Sequence, residues 1–210
     1  MYGVMSTGNS EEQLLLLLFL YFNRDYFGRS GLARALQVGE GRLRRLLAEL
    51  ADVGFIVKVR AGTRLTARGV SEVERYLLQK GVVGVFLSSA EELGSEVAVV
   101  AYTLVGYSPS IRIVELRDEA VRGGARGAVL LRYEDGKLIV PPIEEDFCVY
   151  AKTLCRNIMR RKEPKQGSLV ITVFGDSLKD AVQGLVRLLE SRYYLALIHP
   201  SKTPGSSAKV

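Results

Sequence analysis

Nine apolar residues in a row, Leu14 to Phe22, constrain this chain more than any other feature. Glu11, Glu12 and Gln13 precede them and the turn signal Asn23-Arg24-Asp25 follows, so the spacing predicts a helix over 11–22 capped by Asn9 or Ser10. A helix that is apolar on every side cannot lie on a surface; it packs centrally or across a subunit contact. Nine residues fall well short of the roughly 20 that cross a bilayer. No basic leader precedes the run and no small-residue cleavage site follows it, which argues against a secretory signal. The expectation is a cytoplasmic protein with no membrane segment.

At 48% hydrophobic and 25% charged residues, the 210-residue chain can bury a core, and wholesale disorder is excluded. The single histidine, His199, excludes a two-histidine metal site. Cys148 and Cys155 are too few for a disulfide framework or a four-thiolate zinc site. If one helix runs from about Ile143 to Lys162, the two thiols share a face at about 10 Å and stay unbridged, consistent with a reducing compartment. No metal and no cofactor are expected.

Net charge is +6, and its placement carries more than its size. Between Gly28 and Arg68 stand nine basic residues (Arg29, Arg34, Arg42, Arg44, Arg45, Lys58, Arg60, Arg64, Arg68) against Glu40, Glu49 and Asp52. A basic patch confined to forty residues points to a polyanion, although a solvated arginine-rich face would have the same composition.

Pattern sharpens this. Ser30 can cap a short helix over 31–36, and Gln37-Val38-Gly39 is a tight turn. From Glu40 to about Val53, Leu43, Leu46, Leu47, Leu50 and Val53 recur at helical spacing, which turns Gly41, Arg42, Arg44, Arg45 and Ala48 outward. Gly54 ends that helix, Phe55 to Arg60 alternates as a strand, Ala61-Gly62 turns, and Thr63 to Leu65 returns antiparallel. Thr66 caps a further helix, from Ala67 to about Lys80, with Val70, Val73, Tyr76 and Leu77 on one face.

The run from Leu32-Ala33-Arg34-Ala35-Leu36 through Gly39-Glu40-Gly41-Arg42-Leu43-Arg44-Arg45-Leu46-Leu47 and Gly54-Phe55-Ile56 to Leu65-Thr66-Ala67-Arg68-Gly69 closely resembles the winged-helix transcription regulators of prokaryotes over about seventy residues. The resemblance implies a third helix in the DNA major groove and a wing on the neighbouring backbone. Carried over by position, Gly41, Arg42, Arg44 and Arg45 would face the groove, Arg29 and Ser30 the first backbone contact, and Arg60, Gly62 and Arg64 the wing. Glu40 departs from the serine or threonine common at this corner and would repel phosphate unless a neighbouring arginine pairs with it. Guanidinium groups serve both base edges and phosphates, so the residues alone leave the mode of readout open.

Beyond Gly81 the pattern changes. A strand over 96–105, a helix from Ile111 to Arg122 started by Ser110, a hairpin about Glu134-Asp135-Gly136, the helix over 143–162, a strand over 168–174, a helix from Leu178 to Arg192 and a last strand over 193–198 predict an α/β layer with a mixed sheet. The stretch Ile113–Pro141, with Gly123-Gly124-Ala125-Arg126-Gly127-Ala128 and Gly136-Lys137-Leu138-Ile139-Val140-Pro141, looks like a family of uncharacterised archaeal proteins that carry a winged helix ahead of a small α/β domain. That resemblance implies domain order and a regulator, with no ligand or reaction.

Three sites invite an enzymatic reading, and each has a simpler one. Gly123 to Gly127 follows a helix, the wrong order for a phosphate loop, and reads as a helix terminus. Glu144, Glu145 and Asp146 read as first-turn acids rather than cation ligands. Asp176 and Ser177 stand at a strand-to-helix junction where they either hold an effector or simply cap. The fold expected is α+β: a winged helix over 1–81, an α/β dimerisation or effector domain over 82–199, and a disordered tail over 200–210. The expected function is a homodimeric regulator of double-stranded DNA, without catalysis, that senses a small-molecule effector or contacts only its twin. A protein-binding winged helix, or an enzyme with a winged-helix appendage as in archaeal flavin-pathway kinases, is the alternative.

Overall fold

In a computed structural model, residues 10–23, 26–141, 143–161 and 164–199 are described. The expected tail over 200–210 and the alternative cap Asn9 lie outside the described residues, and Ser10 is the first residue of the first helix.

The first eighty residues form helix α1 (Ser10–Phe22), α2 (Arg29–Leu36), α3 (Glu40–Asp52), the hairpin β1 (Ile56–Val59) and β2 (Gly62–Leu65), and α4 (Ala67–Gln79). Leu14 through Leu20 are all buried, and α1 packs against α4 and against α7 (Leu178–Glu190) of the second half. The apolar helix is thus covered within one chain, and no subunit contact is needed to bury it. In α3, Leu43, Leu46, Leu47 and Leu50 face inward as their spacing requires. Val53 departs from its expected inward place: it caps the helix and is 45% exposed, because the chain turns out at Gly54, whose φ of +75° suits glycine.

The Leu65–Gly69 stretch has a local cause. Thr66 Oγ1 donates to the Gly54 carbonyl at 2.6 Å and accepts from the Gly69 N–H at 3.0 Å, tying the start of α4 to the end of α3. A Cβ on Gly69 would stand 2.0 Å from the Phe55 carbonyl oxygen, so only glycine lets α4 approach this closely. Ser30, by contrast, does not cap α2. The helix starts one residue before it, with Gly28 at the cap and no side-chain cap bond.

Gly81 turns α4 into β3 (Val82–Ser89), followed by β4 (Val97–Gly106), α5 (Ile113–Arg122), β5 (Gly127–Glu134), β6 (Lys137–Val140), the two-residue β7 (Glu145–Asp146), α6 (Lys152–Arg161), β8 (Ser168–Gly175), α7 and α8 (Arg192–Ile198). The six strands lie in the order β3-β4-β8-β5-β6-β7, and every neighbouring pair is antiparallel. The mixed sheet expected from the alternation is therefore corrected. Strands β4 and β5 do run the same way across the α5 crossover, but β8 inserts between them antiparallel to both.

One face of this sheet continues into the core formed by α1, α2, α3, α5 and α7, so a single apolar core crosses the turn at Gly81. The other face is covered by α6 and the one-turn helix Phe147–Val149 around Phe86, Tyr102, Leu131 and Ile158.

Three further expectations are corrected. Residues 193–198 form helix α8, because Ser191 breaks the preceding helix: its hydroxyl donates to the Leu188 carbonyl and accepts from the Tyr194 N–H. Ser110 does not cap α5, which begins at Ile113 after Arg112. The long helix over 143–162 is absent. Glu144 takes φ +57°, β7 pairs with β6, and the α-helix begins only at Lys152. Cys148 therefore stands outside α6, its Cα 5.2 Å from that of Cys155, and the two are joined as a disulfide, not held apart as free thiols.

Candidate nucleic-acid interface

Helices α2 and α3 both start from a glycine in extended conformation, Gly28 and Gly39, without a side-chain cap. Among the described residues no side chain bonds their first-turn N–H groups, which stand at the positive ends of two helix dipoles. Beside them lies the hairpin, pinned to the α1–α2 connection by the Phe27 N–H to Thr63 carbonyl bond (3.0 Å) and its reciprocal (2.8 Å). Gly62 belongs to this junction: a Cβ there would stand 2.6 Å from the Phe27 carbonyl oxygen, and its φ is +136°. Its glycine is required by packing, whatever else approaches it.

Between α2, α3 and the hairpin runs a groove of about 330 Å³ lined by Gly28, Arg29, Arg44, Leu47, Lys58, Val59, Arg60, Ala61, Gly62 and Thr63. Four of these side chains are cationic and none is acidic. Arg44, Lys58 and Arg60 are exposed and form no ion pair among the described residues. Arg29 lies 3.8 Å from Glu40, an exposed pair that only partly offsets the acid expected to repel phosphate.

The other expected contacts divide. Gly41 is exposed with open space around it, so a large surface can come close to α3 there. Arg42 is held by Glu12 at 2.7 Å, and Arg45 lies 3.8 Å from Glu49. Exposed pairs of this kind are weak enough for a polyanion to compete with the acid. Arg64 stacks over Tyr26 at 5.0 Å, which stiffens the hairpin side chain. Ser30 is exposed in the first turn of α2. Sequence reasoning placed Lys58 in the basic patch but not among the contacts, and the structure brings it into the groove from β1 beside Arg60 in the following turn. Sequence reasoning missed Tyr26, which no period singles out.

In the second half, Ser177 caps α7 by accepting from the Asp180 N–H at 3.2 Å, and its hydroxyl donates to Asp180 Oδ2 at 2.6 Å. Asp176 is exposed and pairs with Arg126 at 3.2 Å. The two residues expected to meet an effector thus have partners within the chain. Glu144 pairs with Arg132, and Asp146 accepts from the Cys148 N–H at 2.9 Å. Arg126 and Arg132 stand six residues apart along one extended segment, roughly 20 Å, so Asp176 and Glu144 do not converge.

Three acids have depressed pKa values for structural reasons, Glu115 through hydrogen bonds from its own backbone N–H and from Arg112, and Glu92 and Glu119 with partners on other elements. Glu92 accepts from the N–H groups of Thr153 and Leu154, which cap α6 from outside its own segment and hold the carboxyl below its ordinary range. Glu119 is buried, which opposes ionisation, but hydrogen bonds from Arg122 and Arg187 outweigh that cost and lower its pKa. Glu92 and Glu119 serve helix packing.

Residues 96–191 match the profile of a domain of unknown function, DUF4443, which begins at the edge of β4 and ends where α7 breaks. The chain is similar in fold to the hypothetical protein PH0730 from Pyrococcus horikoshii OT3, at TM-score 0.63 and 20% identity over 91% of this chain and 95% of that one. No curated protein matches. No described helix is long and apolar enough to cross a membrane.

Proposed function

We propose that the protein is a double-stranded-DNA-binding transcription regulator whose first eighty residues act as a winged helix, α3 entering the major groove and β1–β2 serving as the wing. The observation that carries this reading is the groove lined by Arg29, Arg44, Lys58 and Arg60, with no acid in its lining, beside two helix N-termini that start from glycine and that no described side chain caps. Backbone N–H groups, a helix dipole and guanidinium groups together suit phosphate. Gly41, Arg42 and Arg45 extend the same surface along α3 toward base edges. The six-stranded part then serves as the dimerisation or sensing half, since one winged helix reads only a half-site.

The test is fluorescence anisotropy with a labelled duplex across a salt series. Four phosphate contacts give a slope of about −3.6 in log K against log salt, so raising salt fourfold weakens binding by about 150-fold. Replacing Arg44 by alanine lowers that slope by about one. The Arg44→Ala/Arg45→Ala double variant stays folded, since both side chains are exposed, and loses most of its affinity. Salt-insensitive binding, or an unchanged double variant, would remove the proposal.

A further inference from the structure

Most arginines of the second half have a partner within the chain: Arg192 donates to the Tyr193 hydroxyl and Arg161 lies over the Phe86 ring. Arg112, Arg117, Arg122, Arg126, Arg132 and Arg187 each meet a carboxylate. On α6 the pattern is different: Lys152, Arg156 and Arg160 recur every four residues on its exposed side, and none has an ion pair among the described residues. Leu154, Cys155 and Ile158 face the sheet, so the cationic row points away from it.

The helix dipole does not account for this row. A dipole favours cations in the last turn, where Arg160 stands, and disfavours them in the first, where Lys152 stands. Helix α6 itself contains no acid, and the carboxylate nearest its start, Glu92, is engaged by the Thr153 and Leu154 N–H groups. The outcome is a basic ridge about 12 Å long from Lys152 to Arg160, in which Arg156 feels the Glu92 carboxylate without a close ion pair and Lys152 and Arg160 have no ion pair among the described residues.

This ridge covers the sheet face opposite to the one that carries α1, α2 and α3. We infer that α6 is a second contact for duplex DNA, so that one chain holds one duplex in its α2–α3–hairpin groove and another on α6, bridging the two. The inference rests on the groove reading above and extends it. A straight duplex seated in the groove lies on the far side of the sheet from α6, so the ridge meets a separate segment.

The experiment is a capture assay with the full chain. A biotinylated duplex on beads retains the protein, and a second, fluorescent duplex is retained only when it is bridged. Wild type is expected to capture both. Arg156→Ala/Arg160→Ala, altered only at exposed positions, is expected to bind the first duplex within about twofold of wild type and to capture about tenfold less of the second. Arg156→Lys/Arg160→Lys is expected to retain capture, because a phosphate contact needs charge rather than a planar fork. First-duplex binding without any second-duplex capture by wild type overturns the bridging inference alone. Undiminished capture by the alanine variant also overturns it, and assigns bridging to paired grooves in a dimer. Failure of wild type to bind even the first duplex overturns the groove reading together with this one.

Discussion

Replacing Leu17 by alanine tests whether the two halves of the chain form one cooperative unit. Leu17 is fully buried in α1, which packs on α4 on one side and on α7 on the other. Deleting three buried carbons from a site walled in by helices removes transfer energy and leaves a cavity, together costing about 4 kcal/mol. With an unfolding entropy of about 0.4 kcal/mol per kelvin for a chain this long, the midpoint falls by about 10 °C. The assay is thermal unfolding by circular dichroism, paired with hydrogen exchange read by mass spectrometry over α3 and over β8. Because the core is continuous from α1 through α7 to the sheet, both segments should lose protection together and to the same extent. A loss confined to α3 with β8 unchanged, or two separate transitions, would refute the single-core argument. Leu78→Ala, at a position 60% exposed, is the control and should shift stability by less than about 0.5 kcal/mol.

Other expectations concern single groups. Gly69→Ala should destabilise by about 2 kcal/mol or more in denaturant titration, since its Cβ meets backbone that cannot yield. Gly41→Ala should instead raise stability by about 0.5–1 kcal/mol while weakening DNA binding, a combination that anisotropy and melting separate. Because the carboxyl of Glu92 is depressed in the folded state, its contribution is complete above the unfolded value near pH 4.3 and disappears as pH falls through the lower folded value. Glu92→Gln should therefore flatten the acid side of the stability profile and speed exchange at the start of α6. Thiol titration of the unreduced protein should find no free thiol, and reducing the Cys148–Cys155 bridge should cost about 2.5 kcal/mol by loop entropy.

The candidate site was legible in the sequence where its period is local. The four inward leucines of α3 fix where Arg44 and Arg45 point without reference to any distant residue, whereas Arg60, expected on a strand over 55–60, stands in the turn after β1. The pairing of Glu40 with Arg29, the closing of the groove by Lys58 and the pinning of the hairpin to Phe27 depend on how three elements meet, and no spacing carries that.

Sequence by itself determined that the apolar run is a helix whose Leu14–Leu20 stretch is enclosed, that basic residues concentrate on α3 and the hairpin, and the order of helices and strands before Gly81, though not every boundary. Only tertiary structure decided what encloses that helix, since α7 lies more than 150 residues away. It also decided the direction of the sheet. The alternation of strands and helices is the same whether β8 joins an edge or enters the middle, and only its antiparallel entry between β4 and β5 makes every pair antiparallel. The Cys148–Cys155 bridge has the same origin: helical propensity favours a continuous helix over 143–162, but β7 pairing with β6 draws the chain into the sheet and frees Cys148 to swing toward Cys155. Long-range pairing overrides local preference wherever its hydrogen bonds and burial exceed the few tenths of a kcal/mol per residue that propensity supplies.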